Sequence, residues 1–377
     1  MFNNTLAAII ATILAAVSLP VSAEDGVTDS AILIGQTVGL TGTVAGPVKE
    51  TNEGANAYFK SVNKNGGING RKIELLTIDD KFDPALTVTN AEALISDQHV
   101  FALFQGRGTP HTMAILPILA AHKVPLIAPG TGAVSLREPM NHWVFNIRAK
   151  YQDEVAKAVL EFSTIGMKKI GLLYVDDSFG QDSLEGFKKA MAEEKMTPAV
   201  ITAFARVQPD YAATAKEVMK AEPQALIIAS SSKNTIEVIK AFRDAGSHIQ
   251  LMTLSNNSSA SFVKELGPAS AGVILSQVMP APDLLSSSLG QEFKVAAKAS
   301  GVTISYAAME GFVNAKVLVE GLRRAGRNLT REGLVRALET MQHVDLGGVQ
   351  INYDSNNHSG SKYVELTIIG KTGHFVR

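Results

Sequence analysis

The sequence contains no cysteine, one tryptophan and few aromatic residues, 6% in all. Without cysteine the chain forms no disulfide, no thiolate nucleophile and no cysteine-ligated metal centre. The scarcity of aromatic rings argues against a platform that stacks sugars or bases. Lysine and arginine never occur in runs longer than two, and the net charge is -1, so the sequence offers no basic surface for nucleic acid.

The N-terminus carries an apolar run, Leu6 to Val17, with the length of a signal-peptide core. Small residues at Val21-Ser22-Ala23 then form a cleavage site. These features predict a signal peptide over residues 1–23 and an exported protein. Because no Lys or Arg precedes the apolar run, an uncleaved membrane anchor is the alternative, although the run is short for a bilayer span.

A sharp change of local pattern begins at Gly66-Gly67, a pair that favours a left-handed helix stop. A β-branched and leucine-rich strand follows at residues 73–78, and Asp83-Pro84 provides the N-cap and first-turn proline of a new helix. Helix, turn, strand and helix in close succession predict one unit of a doubly wound α/β sheet.

Two later strands, ending at Phe104 and Ala128, run into glycine-rich loops at residues 105–110 and 129–132. The carboxyl ends of parallel strands meet at one edge of a sheet, where such folds bind ligands. A second series of strands and helices begins after Arg148. The sequence therefore predicts two α/β lobes, each built on a doubly wound parallel sheet.

Signatures of enzymes are missing from these loops. No G-x-G-x-x-G follows the first strand, and the chain has no G-x-S-x-G, P-loop or H-E-x-x-H motif. His111 could be catalytic, but a helix-terminal position explains it as well. Carboxylates cluster at Asp79, Asp80 and Asp83 without the spacing of a calcium loop. We therefore predict no catalytic activity, no metal site and no cofactor.

Four segments, taken in this order behind a signal peptide, carry a family resemblance. They are residues 39–42, 66–84, 176–180 and 306–312. Together they resemble the periplasmic substrate-binding proteins of branched-chain amino acid and amide ABC transporters, the leucine-binding-protein-like family. The resemblance implies a type I periplasmic binding protein fold, in which two doubly wound parallel-sheet lobes are joined by a three-crossover hinge.

The same resemblance implies the domain boundaries and the partners. Lobe 1 would comprise residues 27–149 and 279–351, and lobe 2 residues 150–278 and 352–377. The protein would be a periplasmic monomer that binds a small-molecule ligand and meets ABC permease subunits at the inner membrane, with no nucleic-acid partner.

Residues that bind a ligand carboxylate are carried over from the family one by one. The matching positions are Thr109, which follows Gly108, and Thr131 with Gly132. Backbone amides in glycine turns at helix N-termini are suitable anion donors. The alternative role of Thr109 is an ordinary helix N-cap.

The remaining pocket positions depart from the amino-acid binders. Phe179 stands at an aromatic position, Ser231 at a second one, and Ser255 where the family usually has a carboxylate for the ligand's ammonium. An ammonium without a charged partner in a closed cleft costs several kcal/mol. We therefore expect α-amino acids to bind poorly unless another carboxylate substitutes. The candidates are Asp176, Asp177 and Glu310.

Arg107 lies in the first cleft loop and could form a bidentate pair with a ligand carboxylate. The alternative is a surface salt bridge, for instance to Asp79 or Asp80. The retained threonine anchor and the missing acidic anchor together favour an organic or aromatic acid, or an amide, over a zwitterion.

The functional prediction is a periplasmic receptor that captures a small carboxylate-bearing solute by hinge closure and presents it to a permease. A ligand sensor without a transport role is the first alternative. An exported α/β enzyme is the second, although the missing motifs argue against it.

Overall fold

The computed structural model describes residues 24–284 and 286–377, so the predicted signal peptide at 1–23 lies outside the described residues. Strands and helices alternate along most of this chain. In order they are β1 (Ala31–Val38), α1 (Ala45–Lys64), β2 (Lys72–Asp79), α2 (Pro84–Glu92), β3 (Ala102–Phe104), α3 (Thr109–His122), β4 (Leu126–Ile127), β5 (Val144–Phe145), α4 (Tyr151–Thr164), β6 (Ile170–Val175), α5 (Ser178–Glu193), β7 (Val200–Phe204), α6 (Tyr211–Met219), β8 (Ala225–Ala229), α7 (Ser232–Asp244), β9 (Gln250–Thr253), α8 (Ala260–Leu266), β10 (Ile274–Gln277), α9 (Ser288–Ser300), α10 (Tyr306–Ala325), α11 (Arg331–Glu339), β11 (Val344–Asp345), β12 (Gln350–Ile351), β13 (Glu365–Ile369) and β14 (Phe375–Val376). Across the described residues, no helix combines the length and apolar character needed to cross a bilayer.

The first sheet has the strand order β2-β1-β3-β4-β5, and its strands are parallel. Strand β1 lies in the middle of the early strands, pairing with β2 on one side and β3 on the other. The strand order reverses beside β1, so the loops after β3 and β4 open at the carboxyl edge where a doubly wound sheet binds ligands.

The second sheet has the order β14-β13-β10-β9-β8-β6-β7. Strands β6 to β10 are parallel, whereas β13 and β14 join antiparallel at one edge. The sequence pattern predicts parallel strands throughout, so the antiparallel edge is a departure from that prediction. Strand β14 runs antiparallel to β13 because a tight turn at 370–373 connects them, and a short hairpin can join only antiparallel strands.

Two hydrophobic cores accompany the two sheets. One joins β1–β5 with α1–α3 and α9–α11, and we call this unit the first lobe. The other joins β6–β10, β13 and β14 with α4–α8, the second lobe. The predicted fold class, two α/β lobes on doubly wound sheets, is confirmed. The exact boundaries at 149/150, 278/279 and 351/352 stay predictions.

Local sequence explains two turns of the first lobe. Gly66 and Gly67 have φ angles of 94° and 71°, as the predicted helix stop requires. The carboxylate of Asp83 accepts the backbone N–H of Ala85, so it caps α2 as predicted, with Pro84 in the first turn. Helix α1 begins at Ala45, so the loop that follows β1 is short.

Helices α1 and α10 approach closely at two glycines. A Cβ on Gly54 would lie 1.9 Å from the carbonyl oxygen of Ala308, and one on Gly311 would lie 1.8 Å from that of Thr51. Neither position has room for a side chain. This approach fixes the first turns of α10 against α1 and holds the neighbouring Glu310 at the face between the lobes.

Candidate functional site

The loops after β3 and β4 pack against each other at the predicted edge. The backbone N–H of Gly130 donates to the carbonyl of Gly106 at 2.5 Å, and the hydroxyls of Thr109 and Thr131 are 2.7 Å apart. Thr131 also accepts the N–H of Ala133 at 3.2 Å. The two predicted threonines therefore form a buried hydroxyl pair at the N-terminus of α3.

Two glycines make this hydroxyl pair possible. Gly108 has a φ of 98° and occupies the N-cap position of α3, so the alternative that Thr109 caps the helix is wrong. A Cβ on Gly132 would lie 2.7 Å from the backbone nitrogen of Tyr151. Gly132 therefore permits the close contact between the β4 loop and the start of α4.

Arg107 extends from the first lobe across the cleft and donates from Nη2 to the carbonyl oxygen of Asn256 in the second lobe. Within residues 24–284 and 286–377 it has no carboxylate in ion-pair distance. The alternative of a salt bridge to Asp79 or Asp80 is wrong. Those carboxylates accept hydrogen bonds from their own loops, Asp79 from Thr41 and Asp80 from Phe82.

Arg107 separates two small cavities of about 10 and 20 Å³, each with room for about one water molecule. The smaller one is lined by Val38, Val48, Thr51, Asn52, Gln105, Arg107, Gly130, Glu310 and Asn314. The larger one is lined by Val44, Phe82, Arg107, Gly108, Thr109, Gly130, Tyr151, Phe179, Arg206, Ser231 and Asn256. Arg107 therefore borders both cavities, and neither has room for a larger molecule in this arrangement.

A second arginine, Arg148, is buried between the lobes and was missed by the sequence analysis. Its guanidinium lies 3.1 Å from Glu154 and 3.4 Å from Glu310, and it also donates to the hydroxyl of Ser255. Burial opposes its charge, but the carboxylates of Glu310 and Glu154 outweigh burial and raise the pKa of Arg148 above its usual value. Arg148 therefore brings together two predicted site residues, Ser255 and Glu310.

Glu154 is fully engaged in this arrangement. Its Oε1 faces Arg148, and its Oε2 accepts the backbone N–H of Ser255 at 2.9 Å and the hydroxyl of Ser276 at 2.5 Å. The ring of Tyr151 lies beneath the guanidinium, 5.0 Å from its central carbon. Local sequence gave no signal for this cluster, because Ser255, Ser276 and Glu310 lie far in the chain from Arg148 and Glu154 and reach them only after both lobes fold.

The other predicted positions line the larger cavity. Phe179 packs on Tyr151 with ring centroids 4.6 Å apart, and the Ser231 hydroxyl is buried without a hydrogen-bond partner among the described residues. Asp177 caps α5 by accepting the N–H groups of Phe179 and Gly180, and it pairs with Arg206. Its carboxylate is therefore already committed.

Contacts join the two lobes at the mouth of the cleft. The Glu50 carboxylate of α1 accepts the backbone N–H groups of Ala260 and Ser261, at 2.8 and 2.7 Å, at the first turn of α8. The N–H of Lys233 donates to the carbonyl of Thr43 at 3.2 Å. A carboxylate at a helix N-terminus complements its unpaired amides and its dipole. These bonds hold the two lobes against each other.

His111 lies at the same interface. Its ring stacks on Phe82 with centroids 4.2 Å apart. The guanidinium of Arg206 lies 5.2 Å from the centroid of the Phe82 ring. Both imidazole nitrogens are buried and lack a hydrogen-bond partner among the described residues. Burial, with the nearby charge of Arg206 as a lesser cause, lowers the pKa of His111 to about 4.

Comparison with known proteins assigns this chain to a family. Residues 31–373 match the family described as periplasmic binding protein. The chain belongs to the periplasmic binding protein family. Members of this family are typically periplasmic and bind small molecules.

Relatives of this periplasmic binding protein cover nearly all of its length. A substrate-binding periplasmic protein from Ralstonia solanacearum is 32% identical, with a TM-score of 0.86 over 92% of this chain and 99% of its own. The Leu/Ile/Val-binding protein homolog 3 of Brucella melitensis is 20% identical across 89% of this chain and 90% of its own. A fatty acid ABC transporter substrate-binding protein from Thermomonospora curvata is 20% identical, with a TM-score of 0.85 over 94% and 92%. These relatives are substrate-binding proteins, not enzymes.

The buried histidine predicts a pH dependence of stability. An unfolded histidine binds its proton near pH 6.5, whereas His111 in the folded binding protein binds it near pH 4. Between these values the unfolded chain holds more protons, so the free energy of unfolding falls as the pH falls, by about 3 kcal/mol in total. The variant H111F keeps the stacked ring and should lose this contribution, as measured by urea unfolding from about pH 7 to about pH 4.

A matched control is H374Q, which changes an exposed histidine. It should retain the pH dependence of the parent. Equal slopes for the parent and H111F would show that His111 does not titrate in this range.

Proposed function

We propose that this periplasmic binding protein is the solute receptor of an ABC importer and that its ligand is a small monocarboxylate without an ammonium group. The observation that carries the proposal is the position of Arg107. Its guanidinium lies in the cleft beside the hydroxyl pair of Thr109 and Thr131, and its partner is a neutral carbonyl. A ligand carboxylate would replace that carbonyl.

The exchange is favourable on physical grounds. The Asn256 carbonyl accepts from the Arg107 guanidinium without compensating its positive charge, whereas a ligand carboxylate would add the attraction between opposite charges. Arg107 would offer two parallel donors, and the hydroxyl pair with the amide groups of the glycine loops would bind the remaining lone pairs. Phe179 would contact the apolar part of the ligand, in the manner of a cavity that uses a few polar anchors and otherwise selects by shape.

An ammonium group finds no comparable partner. Ser255 has no charge, Asp177 is paired with Arg206, and both oxygens of Glu154 are bonded. Glu310 faces the smaller cavity, but the guanidinium of Arg148 lies 3.4 Å from it. A zwitterion would therefore bury its ammonium beside carboxylates that are already paired or hydrogen-bonded, at a cost in desolvation.

The names of the relatives do not choose between these ligands. One is a Leu/Ile/Val-binding homolog and another a fatty acid transporter's binding protein, yet both share the fold. Function resides in the site rather than in the fold. The ligand is therefore argued from the charges in this cleft.

Binding would proceed by hinge closure. A ligand held by Arg107 from the first lobe and Phe179 from the second contacts both lobes only when they are together, so its differential affinity favours the closed state. The bonds from Glu50 to α8 would add to the same equilibrium.

The ligand class is tested by calorimetry with three molecules of one carbon skeleton: isocaproate, isocaproamide and leucine. Isocaproate should bind at least about tenfold more tightly than the amide, because the neutral amide forms no ion pair with Arg107. Leucine should bind more weakly than isocaproate. In R107M the preference for isocaproate over the amide should disappear, whereas R336M, which removes an exposed arginine of α11, should keep it.

Tighter binding of leucine than of isocaproate would contradict the proposed ligand class. Equal preference of R107M and the parent for isocaproate over the amide would contradict the role of Arg107.

Closure is tested at Glu50. The variant E50Q removes the charge that faces the N-terminus of α8, which is worth about 1 kcal/mol in a partly buried geometry. Its dissociation constant for isocaproate should therefore rise about fivefold, although Glu50 is outside the two cavities. The control E53Q changes a neighbouring carboxylate of α1 that pairs with Lys49 on the surface and should bind as the parent does. An unchanged dissociation constant in E50Q would show that the hydrogen bonds of Glu50 to α8 do not contribute to closure.

Import is tested in the organism that makes this protein, by measuring solute uptake. Deletion of the gene should abolish uptake of radiolabelled isocaproate, and expression of the parent chain should restore it. Expression of R107M should not. Normal uptake in the deletion strain, with isocaproate binding intact in the purified protein, would favour the sensor alternative over transport.

A further inference from the structure

We propose that Arg148 determines which ligand charge this cleft accepts, by pairing with Glu310 and so competing with a ligand ammonium for that carboxylate. The inference rests on the proposed function and deepens it. Arg148 would be a positioning residue, since it acts on the ligand through Glu310 and does not line either cavity.

Glu310 is the carboxylate best placed for an ammonium. It lines the smaller cavity together with Arg107, it is held in place by the glycine contact of α10 with α1, and it accepts no hydrogen bond from the described residues. Its charged neighbour within ion-pair distance is Arg148. Without that neighbour its oxygens would face the cleft as a bare carboxylate.

Arg148 is fixed in this position by groups that do not depend on a ligand. Only 2% of its side chain is exposed, Glu154 faces one terminal nitrogen, and the Ser255 hydroxyl accepts from the same nitrogen. The other terminal nitrogen faces Glu310 and lacks a hydrogen bond in ideal geometry. The guanidinium therefore stays in place while either neutral or charged molecules enter the cleft.

The consequence for an incoming ligand follows from Coulomb's law. An ammonium near Glu310 would lie close to the guanidinium groups of both Arg148 and Arg107, and repulsion would offset its attraction to the carboxylate. A carboxylate at Arg107 would experience the opposite balance. Ser255 stands where the resemblance places an acidic residue, so it adds no second carboxylate for an ammonium. Its hydroxyl accepts a hydrogen bond from Arg148.

The test is the ratio of the dissociation constants for leucine and isocaproate, measured in one preparation of the purified protein. In R148M, Glu310 loses its cation and becomes available to an ammonium. The ratio should fall about a hundredfold in favour of leucine, since an uncompensated buried carboxylate gains a partner. R148K retains a positive charge and should keep the ratio of the parent within about tenfold.

The double variant R148M/E310Q identifies the acceptor. It should lose the gain in leucine affinity, because the carboxylate that R148M releases is gone. The single variant E310Q should bind isocaproate more tightly than the parent, since one carboxylate no longer faces the ligand's own. This single variant also tests the inference should R148M fail to fold, which thermal melting would reveal.

The outcomes separate this inference from the function on which it rests. An unchanged ratio in folded R148M, or a gain of leucine affinity that survives in R148M/E310Q, overturns the role of Arg148 alone. A loss of leucine affinity of tenfold or more in E310Q would show that Glu310 already accepts an ammonium, and would overturn it too. Preference of the parent protein for leucine overturns the proposed ligand class itself.

Discussion

A guanidinium buried where the chain passes from one lobe to the other keeps its charge only if nearby carboxylates compensate the hydration it has lost. Arg148 obtains that compensation from both sides, from Glu154 on α4 and from Glu310 on α10. Neither lobe provides both carboxylates. The electrostatics of the cleft therefore depend on the two lobes being assembled together, and the buried pair on each side restricts where Ser255 and Tyr151 can lie.

The anion-binding side of the cleft has a different origin, because it comes from one lobe and from local chain geometry. Glycine at 108 adopts a positive φ, and glycine at 132 leaves room for the backbone of Tyr151. These two conditions bring the hydroxyls of Thr109 and Thr131 within 2.7 Å. Arg107 then bridges from this preformed loop to the second lobe. The site thus combines a rigid local anchor with a charge whose partner can change.

The elements that sequence predicted well are those determined by neighbours in the chain. The helix stop at Gly66, the cap at Asp83 and the strand-to-glycine-loop junctions needed no knowledge of the fold. The loops carrying Thr109 and Thr131 were predicted to meet because parallel strands share an edge, and they do. The antiparallel edge of the second sheet was missed, since a short C-terminal hairpin has a weaker pattern than a βαβ unit.

The site residues that sequence could not supply are those whose partners are distant in the chain. Arg148 and Ser255 are 107 positions apart, and Glu50 lies 210 positions from the amide of Ala260 that it binds. No local pattern marks an arginine or a glutamate as buried, since both residue types are mostly exposed. Their roles appear only when the two lobes meet.

Charge balance alone does not decide the ligand. The guanidinium groups of Arg107 and Arg148 and the carboxylates of Glu154 and Glu310 sum to zero, and a zwitterion would preserve that sum. Position decides instead. Both carboxylates lie within ion-pair distance of Arg148, whereas Arg107 has a neutral carbonyl. Glu154 and Glu310 share the charge of Arg148, and Glu154 also accepts from Ser255 and Ser276, whereas Arg107 has no carboxylate within ion-pair distance among the described residues. An anion placed against Arg107 therefore gains an ion pair that the cleft does not already supply.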